Sequence, residues 1–132
     1  MALFSVVGLS SSAAEATAPT QNIHINVVCH QLGSPGGGGT GCFAPKLVTV
    51  VKGQKVLWTN TTPFHHTVTR CKVAAGACPV SGGTGTDLRF KTSPKINAPG
   101  GTFSFTFNGS GTYVYYCTIH GYAVMHGTVV VH

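Results

Sequence analysis

The sequence predicts an all-β protein, a Greek-key β-sandwich of seven to eight strands. The chain of 132 residues contains 18 glycines and 7 prolines, and strong helix formers such as Glu, Lys and Arg are scarce. Its ordered-looking stretches are short, rich in Val, Thr, Phe and Tyr, and separated by turn residues at regular intervals. This pattern is typical of a two-sheet sandwich.

The first half of the chain contains alternating apolar and polar residues, which indicate half-buried strands. Ile23, Ile25 and Val27 fall on one face of an extended segment, and Val56 and Trp58 share a face further on. We expect both sets to be part of the core. Strands or strand-like segments are predicted at residues 22–27, 46–51, 54–59 and 64–70.

The second half contains an irregular segment, 71–101, in which residues 88–91 could form an edge strand. Beyond it, Phe103, Phe105 and Phe107 alternate with small polar residues and are expected to point inward. We interpret these rings as core side chains and not as an electron relay. The closing strands are predicted at residues 102–107, 112–117 and 127–132.

Residues 1–20 are interpreted as a leader and linker, and residues 21–132 as one domain that buries its own core. The short apolar run at 2–9 resembles the second half of a secretory signal peptide, although no Lys or Arg precedes it. This run is too short to cross a bilayer. The Gly-rich residues 33–41 are expected to form a mobile surface loop.

Five cysteines occur, and an odd number in an exported protein leaves one thiol for another task. Cys117 is the natural candidate because it lies in the ligand motif described below. The other four allow three pairings, and we expect the pairing of sequence neighbours. The alternative is four free thiols in a reducing compartment. The expected pairs are Cys29–Cys42 and Cys71–Cys78.

The charge is strongly unbalanced, with eight Lys or Arg against two acidic residues and a formal net charge of +6. Such a charge attracts acidic proteins, membrane surfaces or nucleic acid over long distances. The cations are scattered and no nucleic-acid-binding module is present, so nucleic acid is not an expected partner. An acidic partner and peripheral proximity to a membrane remain candidates. The alternative is that the charge only keeps the protein soluble.

Four side chains in the second half of the chain form a candidate ligand set for one metal ion. Cys117, His120 and Met125 lie in one short stretch, and His66 lies upstream of them. One thiolate, two imidazoles and a distant thioether are the ligands of a blue-copper electron-transfer centre. Zinc also accepts thiolate and imidazole ligands, so a structural zinc site is an alternative.

Strand parity shows how the chain could bring these groups together. Tyr113, Tyr115 and Cys117 share one face of the strand at 112–117, and an internal aromatic face directs the thiol into the end of the core. Gly121 then permits a tight loop that returns the downstream ligands towards the sulfur.

Two segments of the chain resemble the cupredoxins, a family of small blue copper proteins. They are residues 58–68 and 111–120, and Met125 follows them at the spacing found in plastocyanin. The resemblance covers about residues 22–132 and is nearest to plastocyanin-like members, including halocyanin. It implies an eight-stranded Greek-key fold and one copper ion bound by His66, Cys117, His120 and Met125.

The same resemblance decides between two adjacent histidines. The match at His-Thr-Val favours His66 as a ligand, and His65 is interpreted as a surface imidazole. Thr67 departs from the asparagine that plastocyanins usually have beside the first ligand. The remaining histidines are not expected to bind metal: His24, His30, His126 and His132.

The resemblance implies a protein that carries single electrons between redox partners by Cu(I)/Cu(II) cycling. The apolar run at 2–9 and the odd cysteine indicate an extracytoplasmic location, and a monomer is expected. Copper storage or delivery by the same fold is the alternative. An enzyme is not expected, because the ligand set leaves no open position and no nucleophile–base pair is evident.

Two surfaces are candidates for electron exchange. The edge of His120 is expected to reach solvent within a small apolar patch that includes Pro63, Phe64 and Val124, and a redox partner would dock there. Tyr116 points outward by strand parity and matches the position of a second electron port in plastocyanins. No acidic cluster surrounds it.

Overall fold

The computed structural model describes residues 16–26, 41–72 and 78–132 of the chain. Within these ranges there is no helix, and so none that could span a membrane. The ordered elements are eight strands: β1 (Gln21–Asn26), β2 (Cys42–Ala44), β3 (Leu47–Val50), β4 (Gln54–Asn60), β5 (Thr69–Arg70), β6 (Thr102–Phe107), β7 (Gly111–Tyr116) and β8 (His126–Val131).

The strands form two mixed four-stranded sheets. One has the order β2-β1-β4-β6 and the other has the order β3-β8-β7-β5. The pairs β1–β4 and β3–β8 are parallel, and the remaining pairs are antiparallel. The prediction of an all-β sandwich is therefore confirmed.

Trp58 lies at the centre of the apolar core. Its ring is fully buried, and ring-to-ring distances of 5.5–6.2 Å join it to Phe90, Phe103 and Tyr115. It also lies beside Ile23, which pairs with it across the parallel β1–β4 register. The core prediction for this part of the chain is correct, and Val27 lies outside the described residues.

Strand β6 shows only part of the predicted inward alternation. Phe107 is fully buried, whereas Phe103 and Phe105 are partly exposed and pack against the margin of the core. The cause is topological. Strand β6 lies at the edge of its sheet, where side chains are less completely covered by the opposite sheet.

The prediction of an edge strand at residues 88–91 is wrong. Leu88 and Arg89 form a turn, and this turn inserts the Phe90 ring into the core at 5.0 Å from Phe107. The local pattern resembled a strand because a single apolar residue anchors a loop at this position. Similarly, residues 64–70 contribute only the two-residue β5 and two isolated bridges, His66–Ile96 and Thr69–Thr92.

Arg70 fastens the irregular segment after β5 to the second sheet. Its guanidinium donates to the carbonyl oxygens of Gly82, Gly83 and Gly85 at 2.8–3.1 Å, and lies 4.9 Å from the centre of the Tyr113 ring. Five donors on a planar group allow one side chain to satisfy several loop carbonyls. The segment therefore covers β7 without adding a strand to the sheet.

The cysteine prediction is confirmed for one pair. Cys71 and Cys78 form a disulfide with Cα atoms 5.5 Å apart, and Cys117 is a free, buried thiol. Cys29 lies outside the described residues, as do residues 1–15 and 33–40, so the Cys29–Cys42 pair and the mobile loop stay predictions.

The position of Trp58 predicts its contribution to stability. Trp58→Ala should lower the free energy of unfolding by about 3–5 kcal/mol, because it removes a large buried ring and leaves a cavity. Leu47→Ala is the matched control, since Leu47 is 60% exposed on the edge strand β3 and should change stability by less than about 0.5 kcal/mol. Urea titrations of the metal-free proteins would measure both, and equal midpoints for the two variants would contradict this account.

Candidate metal centre

Three of the four predicted ligands meet at one end of the sandwich. Candidate ligand atoms of His66, Cys117 and His120 all lie within 4.8 Å of one another. Cys117 directly follows β7, His120 closes the turn after it, and His66 comes from the segment between β4 and β5. Residues that are distant in sequence therefore converge, because the segments that carry them meet at the same end of the sandwich.

The separations between these atoms suit one metal ion. The Cys117 Sγ lies 3.5 Å from His120 Nδ1 and 3.8 Å from His66 Nδ1. A tetrahedral ion with bonds of about 2.3 Å to sulfur and 2.0 Å to nitrogen separates the two atoms by about 3.5 Å. The separations between the thiol and the two imidazoles are thus close to those that a single thiophilic ion requires.

A closed ring of backbone hydrogen bonds brings the Met125 backbone back to Cys117. The amide of Gly121 donates to the Cys117 carbonyl, that of Met125 donates to the Gly121 carbonyl, and that of Cys117 donates to the Met125 carbonyl, at 2.9–3.0 Å. Gly121 has φ +83°, a conformation that glycine adopts without strain. The loop therefore folds back as the sequence predicted, and the Met125 side chain is buried in the core cluster.

Thr67 connects the two segments that carry the ligands. Its backbone amide donates to the Cys117 sulfur at 3.4 Å, and its hydroxyl contacts the Thr118 hydroxyl and accepts from the Thr118 amide, both at 2.9 Å. The hydroxyl at this position thus holds the His66 segment against the Cys117 loop.

The surroundings of His66 keep its imidazole neutral. The ring is fully buried, its Nε2 lies 2.7 Å from the Thr62 hydroxyl, and its Nδ1 faces the thiol. Burial, followed by the neighbouring His120 and His65 rings, lowers the pKa of His66 from 6.5 to about 4. A neutral ring has the lone pair that metal binding requires.

The other histidines in the described residues lie outside this cluster. His65 is exposed, and its Nδ1 accepts from the Ala98 amide at 3.4 Å. His126 stacks on Tyr122, and its Nδ1 contacts the carbonyl of that residue at 2.8 Å. His24 and His132 are exposed, and His30 lies outside the described residues.

An apolar rim lies on the segments that carry the ligands. About half of each side chain is exposed for Phe64, Ile119 and Val124. The His120 side chain is less exposed than these three but still reaches the surface. Sequence reasoning identified Phe64 and Val124 and missed Ile119, which adjoins His120 in the turn. We call these three side chains the apolar rim.

Tyr116 does not form the exposed port that strand parity suggested. It points away from the main core as predicted, but it is only 7% exposed. The Cys71–Cys78 disulfide, Val114 and Tyr122 cover it in a second apolar cluster. Parity defines the face of a strand and carries no information about a disulfide that packs over that face.

Sequence reasoning also missed two buried polar residues behind His66. Asn60 and Thr62 have no exposed surface and make hydrogen bonds with each other and with the surrounding loops. The available signal is the short polar run of residues 59–62 at the end of β4, directly after the buried Trp58.

A β-sandwich with a thiol between two imidazoles at one end has the architecture of a copper protein of the cupredoxin class. The family described as copper binding proteins, plastocyanin/azurin family, matches residues 16–132. The chain belongs to this family.

Individual relatives agree with this membership. The chain is 33% identical to plastocyanin of Scenedesmus fuscus over 91 residues, which cover 67% of the chain and 85% of the relative. It is 32% identical to plastocyanin of Lactuca sativa over 102 residues, which cover 76% of the chain and 95% of that relative.

Solved structures show the same fold. A purple cupredoxin from Nitrosopumilus maritimus superposes with a TM-score of 0.59 at 24% identity, covering 85% of this chain and 99% of the other. Oxidised plastocyanin from Dryopteris crassirhizoma gives a TM-score of 0.59 at 23% identity, covering 84% and 99% of the two chains. At these identities the likeness concerns the fold alone.

Family membership and the cluster together identify the metal. The protein binds one copper ion, so the structural zinc alternative is set aside. It is a blue copper electron carrier of the plastocyanin type and not an enzyme.

The lowered pKa of His66 predicts how the metal-free protein responds to acid. Between pH 6.5 and about 4 the unfolded chain binds a proton at this residue that the folded chain does not. The free energy of unfolding should therefore be constant above pH 6.5 and fall as the pH decreases to 4, by at most about 3 kcal/mol.

Urea titrations between pH 4.5 and 7.5 would measure this dependence in the metal-free protein. His66→Gln should remove most of the slope. His126→Gln is the matched control and should remove a smaller part, because burial also lowers the pKa of His126. The hydrogen bond from Arg89 lowers the pKa of Asp87 from 3.8 to about 2, so its contribution to stability is lost only below pH 3.8, outside this range. A slope that persists in His66→Gln would contradict the assignment.

Proposed function

We propose that this protein is a type 1 copper protein that carries single electrons between extracytoplasmic redox partners by Cu(I)/Cu(II) cycling. The proposed copper ligands are His66, Cys117, His120 and Met125. The observation that carries the proposal is the buried Cys117 thiol with two imidazole nitrogens at 3.5 and 3.8 Å.

Copper, when bound, supplies the one-electron couple, and the chain supplies a fixed set of donors for it. Thiolate, imidazole and thioether ligands accept both Cu(I) and Cu(II). The Thr67–Thr118 contacts and the ring between Cys117 and Met125 hold the donors in place. A donor set that moves little between oxidation states keeps the reorganisation small, which favours fast electron exchange.

Burial of the ligands defines the route by which electrons would enter and leave. Cys117, His66 and Met125 are at most 1% exposed, whereas His120 reaches the surface. The apolar rim lies on the segments that carry the ligands and provides a face that a redox partner can cover. We therefore assign electron exchange to the His120 edge, and the covered position of Tyr116 supports a single port.

The charge distribution supports an acidic partner, and peripheral proximity to a membrane surface is the other candidate. The net charge is +6, and Asp87, the one carboxylate side chain in the described residues, is bound by the Arg89 guanidinium. Steering by such a charge weakens as salt is added.

The disulfide supports an oxidising location, and we propose an extracytoplasmic monomer. Cys71–Cys78 is a bond of the kind that persists outside the reducing cytosol. In this proposal residues 21–132 are the functional domain and residues 1–20 are a leader and linker. The family match to residues 16–132 covers the whole of the proposed domain.

Copper storage or delivery by the same fold is the second candidate function. It would use the same donors but would require ready release of the ion. The full burial of three of the four proposed ligands favours a retained ion. Repeated oxidation and reduction without loss of copper would distinguish a carrier of electrons from a carrier of copper.

The role assigned to Cys117 predicts an optical signature. Copper addition to the wild-type protein should give an intense visible thiolate-to-copper absorption band, and Cys117→Ser should abolish it because the hydroxyl cannot form that bond. Absorption spectra with copper quantified in the same samples would measure this. Cys71→Ser/Cys78→Ser is the matched control and should keep the band. A folded wild-type protein that binds copper and stays colourless would refute the proposal.

The proposed port predicts which surface controls electron exchange. Val124→Asp introduces a negative charge on the apolar rim, so two copies that meet rim to rim repel each other. Electron self-exchange should slow about tenfold or more, since about 1.4 kcal/mol corresponds to a factor of ten.

Nuclear magnetic resonance line broadening in mixtures of oxidised and reduced protein would measure the self-exchange rate. Leu47→Asp is the matched control, because Leu47 is similarly exposed, at 60% against 57% for Val124, but lies on β3. Equal slowing by both variants would show that the port lies elsewhere.

A further inference from the structure

Two polar residues lie behind His66, on the side of its ring opposite the thiol. Asn60 is the last residue of β4 and Thr62 lies two residues further on. Both are completely buried. Buried polar groups are costly unless their hydrogen bonds are complete, so the position of each hydrogen can be deduced from the neighbouring atoms.

The Asn60 amide has one orientation that satisfies its neighbours. Its Nδ2 lies at 2.7, 3.2 and 3.2 Å from the carbonyl oxygens of Phe64, Ile96 and Asn97, all of which only accept. The nitrogen must therefore be on this side, and Oδ1 faces Thr62. There Oδ1 accepts from the Thr62 amide at 2.9 Å and from the Thr62 hydroxyl at 2.8 Å.

The Thr62 hydroxyl then has no hydrogen left for His66. Its single hydrogen points to an oxygen that only accepts, either Asn60 Oδ1 at 2.8 Å or the Phe64 carbonyl at 3.1 Å. Its lone pairs accept from the Phe64 amide at 3.2 Å and face His66 Nε2 at 2.7 Å. The 2.7 Å contact is thus a hydrogen bond that His66 Nε2–H donates.

This deduction fixes the state of the other ring nitrogen. A neutral imidazole has one N–H, so a proton on Nε2 leaves a lone pair on Nδ1. That atom is the one that faces Cys117 Sγ at 3.8 Å. The ring is also confined from another side, because a Cβ placed on Gly41 would lie 2.6 Å from His66 Cε1.

We propose that Thr62, oriented by Asn60, is a positioning residue that selects the Nε2–H tautomer of His66 and aims Nδ1 into the copper site. The inference rests on the proposed function, since it takes His66 as a copper ligand. Groups that hydrogen-bond to a ligand in this manner typically contribute a factor of 10–100 to metal affinity. Without the Thr62 oxygen, the proton can occupy Nδ1, and copper must displace it.

The wild-type protein provides the first test, without copper. Long-range ¹H–¹⁵N correlation spectra of the metal-free protein at neutral pH separate protonated from unprotonated ring nitrogens. We expect Nε2 of His66 to be protonated and Nδ1 to be unprotonated. A predominant Nδ1–H form in the wild-type protein would overturn the proposal, whatever the variants do.

Variants that differ only in the hydroxyl provide the second test. Thr62→Val keeps the shape and removes the oxygen, so it should populate the Nδ1–H tautomer and weaken copper binding about 10–100-fold. Thr62→Ser keeps the oxygen and should behave as wild type. Thr86→Val is the matched control, because it removes an exposed hydroxyl contact with Ser110 at 3.3 Å and should change neither property.

A purely structural role for Thr62 gives a different result. In that case Thr62→Val would lower the free energy of unfolding but retain the Nε2–H signal and the wild-type copper affinity, and the proposal would be wrong. Thr62→Ser that matches Thr62→Val in both readouts would also overturn it.

The two proposals fail separately. A tautomer change in Thr62→Val, in a protein whose copper complex is colourless, would sustain the positioning role and refute the type 1 site. A blue wild-type protein whose tautomer and affinity do not depend on the Thr62 oxygen would do the reverse.

Discussion

The burial of the Cys117 thiol at the end of β7 is the constraint on which the rest of the site depends. The alternation that puts Tyr113 and Tyr115 in the core also directs the sulfur inward, and the strand must stop there for the chain to return. The backbone ring from Cys117 through Gly121 to Met125 is the consequence. The geometry of the site is thus an extension of sheet geometry.

The remaining proposed ligand is positioned by hydrogen bonds because no strand passes through it. His66 lies in an irregular segment, fastened to Ile96 by backbone bonds in both directions and to the Cys117 loop through Thr67. Asn60 and Thr62 complete the support from behind the ring. The two parts of the site are therefore positioned by different means. The Cys117–Met125 loop is positioned by strand register, and the His66 segment is positioned by a buried polar network.

The same arrangement separates the two outer surfaces near the site. On one side His120 is in contact with solvent beside the apolar rim, and on the other side the Cys71–Cys78 disulfide covers Tyr116. Because Tyr116 is adjacent to Cys117 in the chain, this disulfide decides whether the residue next to the thiol is part of the surface. Under the proposed function, electron exchange would therefore be limited to the His120 edge and to partners that fit the apolar rim.

Sequence patterns were enough to predict the fold class, the inward direction of Cys117 and the return of the loop at Gly121, since period-two alternation and glycine conformations are local properties. The candidate ligands came from their residue types and from the family motif. Only the tertiary structure decided which surfaces stay open and which groups support the ligands. Phe90 in the core, the covered Tyr116 and the Thr62 contact with His66 all depend on segments that are distant in sequence or lack a repeating pattern. Local periodicity contains no record of such contacts, because they arise only when the loops fold against the completed sheets.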